Sequence, residues 1–206
     1  MHISLTRTAT LALLSMVFVL TATLPVRAGG ARVIKSTGSF SGSAITGNFD
    51  FDHPDESTPA FSGTFAGKDS SFGKFTGQSV TEVTPDGQPC TPPSGAAGTG
   101  TEFSFLYGGG GNVVIREDEG DLHFDKVTSF TQCVDFSSYP TPPFPYSFTF
   151  TDTTIGGTGK FQGATGTLTA TGTGQILSAD AGGPLGGRYF GWDQATYTMT
   201  LTIPKH

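Results

Sequence analysis

Apolar and polar residues alternate along most of this chain with a period of two. Near the C-terminus Ala195, Tyr197, Met199, Leu201 and Ile203 alternate with Thr196, Thr198, Thr200 and Thr202. Ala164, Gly166, Leu168, Ala170, Gly172 and Gly174 alternate with Thr165, Thr167, Thr169, Thr171 and Thr173, and Tyr146, Phe148 and Phe150 alternate with Ser147 and Thr149. Successive side chains of a strand point to opposite faces, so each segment has one apolar face and one hydroxyl face. Threonine suits the outer face, because its branched Cβ favours extended backbone while the hydroxyl stays hydrated. The pattern predicts half-buried antiparallel strands.

Shorter strands are predicted at 33–40, 44–51, 61–67, 75–83, 101–107, 112–116 and 122–130, with one more at 188–190. Together these make roughly eight to eleven strands, many separated by glycine-rich turns at 108–111 and 119–121. No amphipathic helix is predicted past the N-terminal segment. The Pro-rich stretches 85–95 and 139–145 are read as loops, because proline lacks the N–H that a central strand donates. Closure removes sheet edges, so the expected fold is all-β, a single antiparallel β-barrel of about eight strands. A two-sheet β-sandwich is the alternative. Glycines on the inward face of 164–174 fit a tightly coiled barrel strand. Gly73-Lys-Phe-Thr-Gly77 recurs as Gly159-Lys-Phe-Gln-Gly163 without a fixed short period, which suits similar barrel corners better than a solenoid.

The N-terminus departs from this pattern. Arg7 precedes an apolar run over 11–20, and Val26-Arg27-Ala28 places small residues where a signal peptidase reads them. The run is shorter than the roughly 20 apolar residues of a membrane-spanning helix. Residues 1–28 are therefore expected to be a removed signal peptide, and 29–206 one β-barrel domain of a secreted or periplasmic protein. Two bases and no acids leave with that segment, taking the net charge from −6 to −8. This disfavours nucleic acid and anionic membranes as partners. Cys90 and Cys133 are the two cysteines, and an even count in an oxidising compartment predicts one disulfide. If every segment above were a separate strand of an up-and-down barrel, the two cysteines would fall at opposite ends.

The most specific stretch runs from Ile155-Gly-Gly-Thr-Gly-Lys-Phe-Gln-Gly-Ala-Thr-Gly-Thr to Leu168. It resembles the motif entering a late strand in the allene oxide cyclase and dirigent barrel superfamily, and more closely exported bacterial members without an assigned activity. A Gly-Lys-Phe segment in the N-terminal half, within 72–77, and the turn Gly120-Asp121-Leu122 fit the same resemblance. It implies a barrel of about eight antiparallel strands. In that setting Gly156, Gly157 and Gly159 would permit positive φ, Phe161 would plug the barrel end, and Gly163 and Gly166 would let the next strand bend. The catalytic residues of the cyclases and dirigent proteins find no matching motif, so the resemblance carries the fold without the reaction.

Candidate chemistry is sparse. The acidic turn 117–121 and the acids at 50, 52, 55 and 56 lack the ligand spacing of a calcium loop and are read as solvated. His53 and His123 have no partner at ligand spacing, and no nucleophile motif is present. No catalytic residue, metal or cofactor is therefore expected. Arg188, Tyr189, Trp192 and Asp193 cluster in sequence, and Tyr107, Tyr146 and Tyr197 lie on apolar strand faces. These seven are the candidate ligand-binding residues, suited to an apolar or aromatic small molecule at a barrel mouth near Trp192. The inward faces of Phe103, Phe105, Tyr107, Phe148, Phe150, Tyr197, Met199 and Leu201 carry no Asp, Glu, His or Lys. The expectation is a non-catalytic binding module, with an isomerase or cyclase acting on an apolar molecule as the alternative.

Overall fold

The structure is a computed structural model that describes residues 30–47, 60–82, 84–93, 95, 97–104, 111–179 and 189–205. Its strands are β1 Arg32–Gly47, β2 Ala60–Asp69, β3 Gly73–Glu82, β4 Thr84–Cys90, β5 Gly100–Ser104, β6 Gly111–Glu117, β7 Leu122–Val134, β8 Phe144–Gly157, β9 Thr165–Ala179 and β10 Tyr189–Ile203. One turn of 3-10 helix, Gly159–Phe161, joins β8 to β9. Among the described residues no helix is long and apolar enough to cross a membrane.

Eight strands close a barrel in the order β7-β6-β3-β2-β1-β10-β9-β8, and β8 pairs back onto β7. Every pairing is antiparallel. The threonine alternation does what the sequence implies. On β10 Ala195, Tyr197, Met199 and Leu201 are buried, while Thr196, Thr198 and Thr200 are exposed. The interior core packs Phe75, Val113, Ile115, Val127, Phe161, Leu168, Met199 and Leu201 together.

Three local expectations change. Segment 33–40 and residues 44–47 of the segment 44–51 are not two strands, because β1 pairs without interruption through Gly42 to Asp193 on one side and to Phe65 on the other; 48–51 lie outside the described residues. The apparent break is a close approach: a Cβ at Gly42 would lie 2.5 Å from Thr64 O and 2.8 Å from Phe65 Cβ. Of the short strand expected at 188–190, residues 189 and 190 are the start of β10, and 188 lies outside the described residues. The stretch from Pro85 is not simply a loop. It forms β4, which among the described residues pairs with β5 alone, Pro85 opposite Phe103 and Pro89 opposite Thr101 across a register shift. An edge strand tolerates proline because its free side needs no ladder donor.

The cysteines reach one rim because β5 and β6 occupy a single strand path. β5 and β6 both pair with β7, along its second and first halves respectively. Cys90 therefore follows the third long strand path and Cys133 ends the fifth, so both reach the same rim. They form a disulfide with Cα atoms 5.9 Å apart. The bridge passes over Gly100 of β5, where a Cβ would sit 2.6 Å from Cys133 Sγ and 3.0 Å from Cys90 Sγ.

Candidate functional site

The barrel interior is not filled. A cavity of about 130 Å³ lies among the inward faces of β1, β2, β3, β6, β7, β8, β9 and β10. Its walls are rich in aromatic rings, among them Phe40, Phe61, Phe65, Phe130, Phe148 and Phe150, with the rings of Tyr146 and Tyr197. Phe40 and Phe65 approach to 5.2 Å between centroids, and Phe148 and Phe150 stack at 6.1 Å. The volume is on the scale of the apolar cavity of about 150 Å³ that takes up benzene.

Polar groups enter this wall at defined points. Tyr146 Oη donates toward Trp192 O at 3.3 Å and Asp193 Oδ2 at 3.4 Å. Burial pushes the Asp193 carboxyl above its ordinary value, partly offset by the Tyr146 hydrogen bond. Six residues along β8 from Tyr146, Asp152 faces the same cavity and is 2% exposed. Burial, with the nearby charge of Asp125, pushes its pKa up to about 8, so the acid is protonated at neutral pH. Asp152 Oδ1 and the cavity-lining Gln132 Oε1 are buried without a hydrogen-bond partner. Such groups are costly to leave unmatched, which makes them points where a bound molecule gains most.

Below the cavity lies a second group of buried polar residues. Tyr197 Oη donates to Asp69 Oδ2 at 2.7 Å. His123 Nε2 is 3.0 Å from Thr154 Oγ1 and 2.9 Å from Asp125 Oδ1. Only the threonine contact has hydrogen-bond geometry. Glu117 is also buried, and desolvation pushes its pKa up to about 7 against the pull of His123 and Lys160, with Asp69 and Asp118 adding to the rise. Among the described residues no three or more His, Cys, Asp or Glu are grouped to hold a metal ion.

The late motif closes this end. Phe161 is fully buried and stacks on His123, with centroids 5.1 Å apart and planes 14° apart. Phe72 meets Phe161 edge-on at 5.2 Å. Gly156, Gly159 and Gly163 have φ of 128°, 50° and 69°. Gly157 differs from its expected role: it has no such φ, and glycine is needed there because a Cβ would press on Leu122 O. At Gly166 a Cβ would press on Thr200 O and Leu201. The acidic turn is not wholly solvated either, since Glu117 is buried and Asp121 Oδ2 accepts the Lys160 backbone N–H at 3.1 Å.

The candidate ligand-binding residues separate. Tyr146, Tyr197 and Asp193 line the cavity. Trp192 is on the outer surface, in a groove with Ser41, Ser43, Thr64 and Arg116, because neighbouring residues of a strand face opposite ways. Tyr107, Arg188 and the side chain of Tyr189 lie outside the described residues, as do Phe105, His53, the acids at 50–56 and the segment 1–29. The expectation of an interior free of Asp, Glu and His is overturned by Asp69, Glu117, His123, Asp125 and Asp152. The sequence signal was present: the alternation of Tyr146, Phe148 and Phe150 continues inward through Asp152 and Thr154.

No protein-family model matches this chain, and a search of curated proteins finds no match. Among solved structures the chain is similar to a pterocarpan synthase dirigent protein, with 14% identity over 85% of this chain and 87% of that one and a TM-score of 0.25.

Proposed function

We propose that this protein is a binding module that holds a small, mostly apolar, ring-sized molecule inside its barrel. The observation that carries this reading is the cavity of about 130 Å³, walled by Phe40, Phe65, Phe130, Phe148 and Phe150 and marked by Asp152 and Asp193. Pockets of this kind combine a large apolar surface with a few polar groups that orient the ligand. The binding position is the lumen and not the outer surface at Trp192. The Cys90–Cys133 bridge supports placement in an oxidising compartment, outside the cytosol.

A second reading, an isomerase or cyclase acting on an apolar molecule held in the barrel, is favoured by one observation. Asp152 is a carboxylic acid with a pKa of about 8 in the cavity wall, so it carries a transferable proton at neutral pH.

Thermal unfolding tests the binding reading. Indole at millimolar concentration should raise the unfolding temperature by preferential binding to the native state. Val127→Phe, which places a ring in the cavity, should abolish that rise while the variant stays folded. Equal stabilisation of both proteins would refute luminal binding.

A further inference from the structure

We propose that the luminal cavity selects a small protonated organic amine with an apolar ring-sized body. This rests on the binding reading above and specifies the ligand's chemistry.

Among the described residues, the two buried polar atoms left unmatched in the cavity wall are both oxygens, although hydroxyl groups also line it. Gln132 Oε1 and Asp152 Oδ1 both line it, both are buried, and neither has a partner. Gln132 is 4% exposed and Asp152 2%, so water from the surface does not reach them freely. Asp193 Oδ2 has only the long Tyr146 contact at 3.4 Å. A ligand N–H matches both unpartnered oxygens, and an ammonium group carries up to three N–H donors and no acceptor.

Charge points the same way. Asp152 and Asp193 line the cavity, and among the described residues no Lys, Arg or His does. Around the floor stand Asp125 and His123 on β7, Glu117 on β6, Asp69 on β2 and Tyr197 on β10, with Lys160 beyond them on the 3-10 turn. An anion entering this interior meets carboxylates without a balancing base in the cavity wall. A cation meets carboxylates and the faces of aromatic rings, which attract positive charge through their quadrupoles. Without a ligand Asp152 keeps its proton because it is buried and Asp125 lies near. An ammonium supplies a countercharge, so the Asp152 proton leaves to solvent as the cation enters.

Calorimetric titration of the full chain at pH 7 tests this with benzylamine, benzyl alcohol and benzoate, three single-ring probes of similar size. Benzylamine should bind about tenfold or more tighter than benzyl alcohol, and benzoate weakest of the three. The benzylamine heat should change with the ionisation enthalpy of the buffer, reporting proton release, and the benzyl alcohol heat should not. Asp152→Asn should remove the buffer dependence and bring the benzylamine affinity to within about threefold of that for benzyl alcohol. Asp193→Asn, which also reduces the preference, serves if the first variant does not fold. Benzyl alcohol binding as tightly as benzylamine would overturn the amine inference and leave luminal binding standing. Failure of all three probes to bind would overturn both.

Discussion

The Tyr197 hydroxyl donates to Asp69 Oδ2 at 2.7 Å, joining two residues 128 positions apart over Gly38 of the intervening β1. The other oxygen of Asp69 accepts the backbone N–H groups of Ser71 at 2.6 Å and Phe72 at 3.0 Å. One buried carboxylate therefore ties the β2–β3 turn to the inward face of β10. Removing one partner of a charged, buried hydrogen bond typically costs about 1.5–3 kcal/mol. Tyr197→Phe should lower unfolding stability in urea by that amount, with an unchanged denaturant slope. A loss of under about 0.5 kcal/mol would show that the contact does not hold the turn.

The protonated interior predicts an inverted pH dependence. The folded-state pKa of Asp152 is raised from 3.8 to about 8 and that of Glu117 from 4.5 to about 7. Between about pH 4 and pH 8 the native state therefore binds more protons than the unfolded chain, and stability falls as pH rises through that window. Urea midpoints should be higher at pH 5 than at pH 8. Asp152→Asn should flatten the profile and stabilise the protein at pH 8 by roughly 1–3 kcal/mol, because it removes a buried ionisable group. A midpoint rising from pH 5 to pH 8 would contradict this.

Much of the architecture could be read from the chain, for a physical reason. Thr-apolar alternation on β8, β9 and β10 is local, and local periodicity sets which face is buried. Which segments join was less accessible, because it depends on what packs opposite. Gly42 reads as a break, yet it is the point where β1 lets Phe65 approach. The site was harder still. Trp192 and Asp193 are neighbours in sequence, and the pleat sends one outside and the other inside. His123 and Asp125 look like surface residues of a polar segment until closure of β7 against β8 buries them.

The disulfide crosses β5 only because residue 100 is glycine. It closes a loop of about 44 residues, which the chain-entropy account values at roughly 4 kcal/mol. Cys90→Ser should cost about 2–4 kcal/mol. Gly100→Ala should leave free thiols detectable by titration of the native protein or lower its stability by a similar amount. Full oxidation with unchanged stability would show that the strands yield easily at this crossing.

Phe161 seals the floor with its ring on His123. Phe161→Ala should cost about 3–5 kcal/mol from lost burial and the cavity left behind, measured by urea unfolding. Phe161→Leu, closer in volume, should recover part of that loss. Equal stability of Phe161→Ala and the parent would mean that the plug is not packed.

The central claim is that the barrel interior is the binding site, and methyl NMR during an indole titration tests it most directly. Ile115, Val127 and Leu168 line the cavity, whereas Val33, Ile45 and Ile155 are exposed on the outside. The account predicts saturable shifts at the first three methyl-bearing residues and none at the second three. Shifts confined to Val114 and Leu122, which share the outer groove with Trp192, would contradict it.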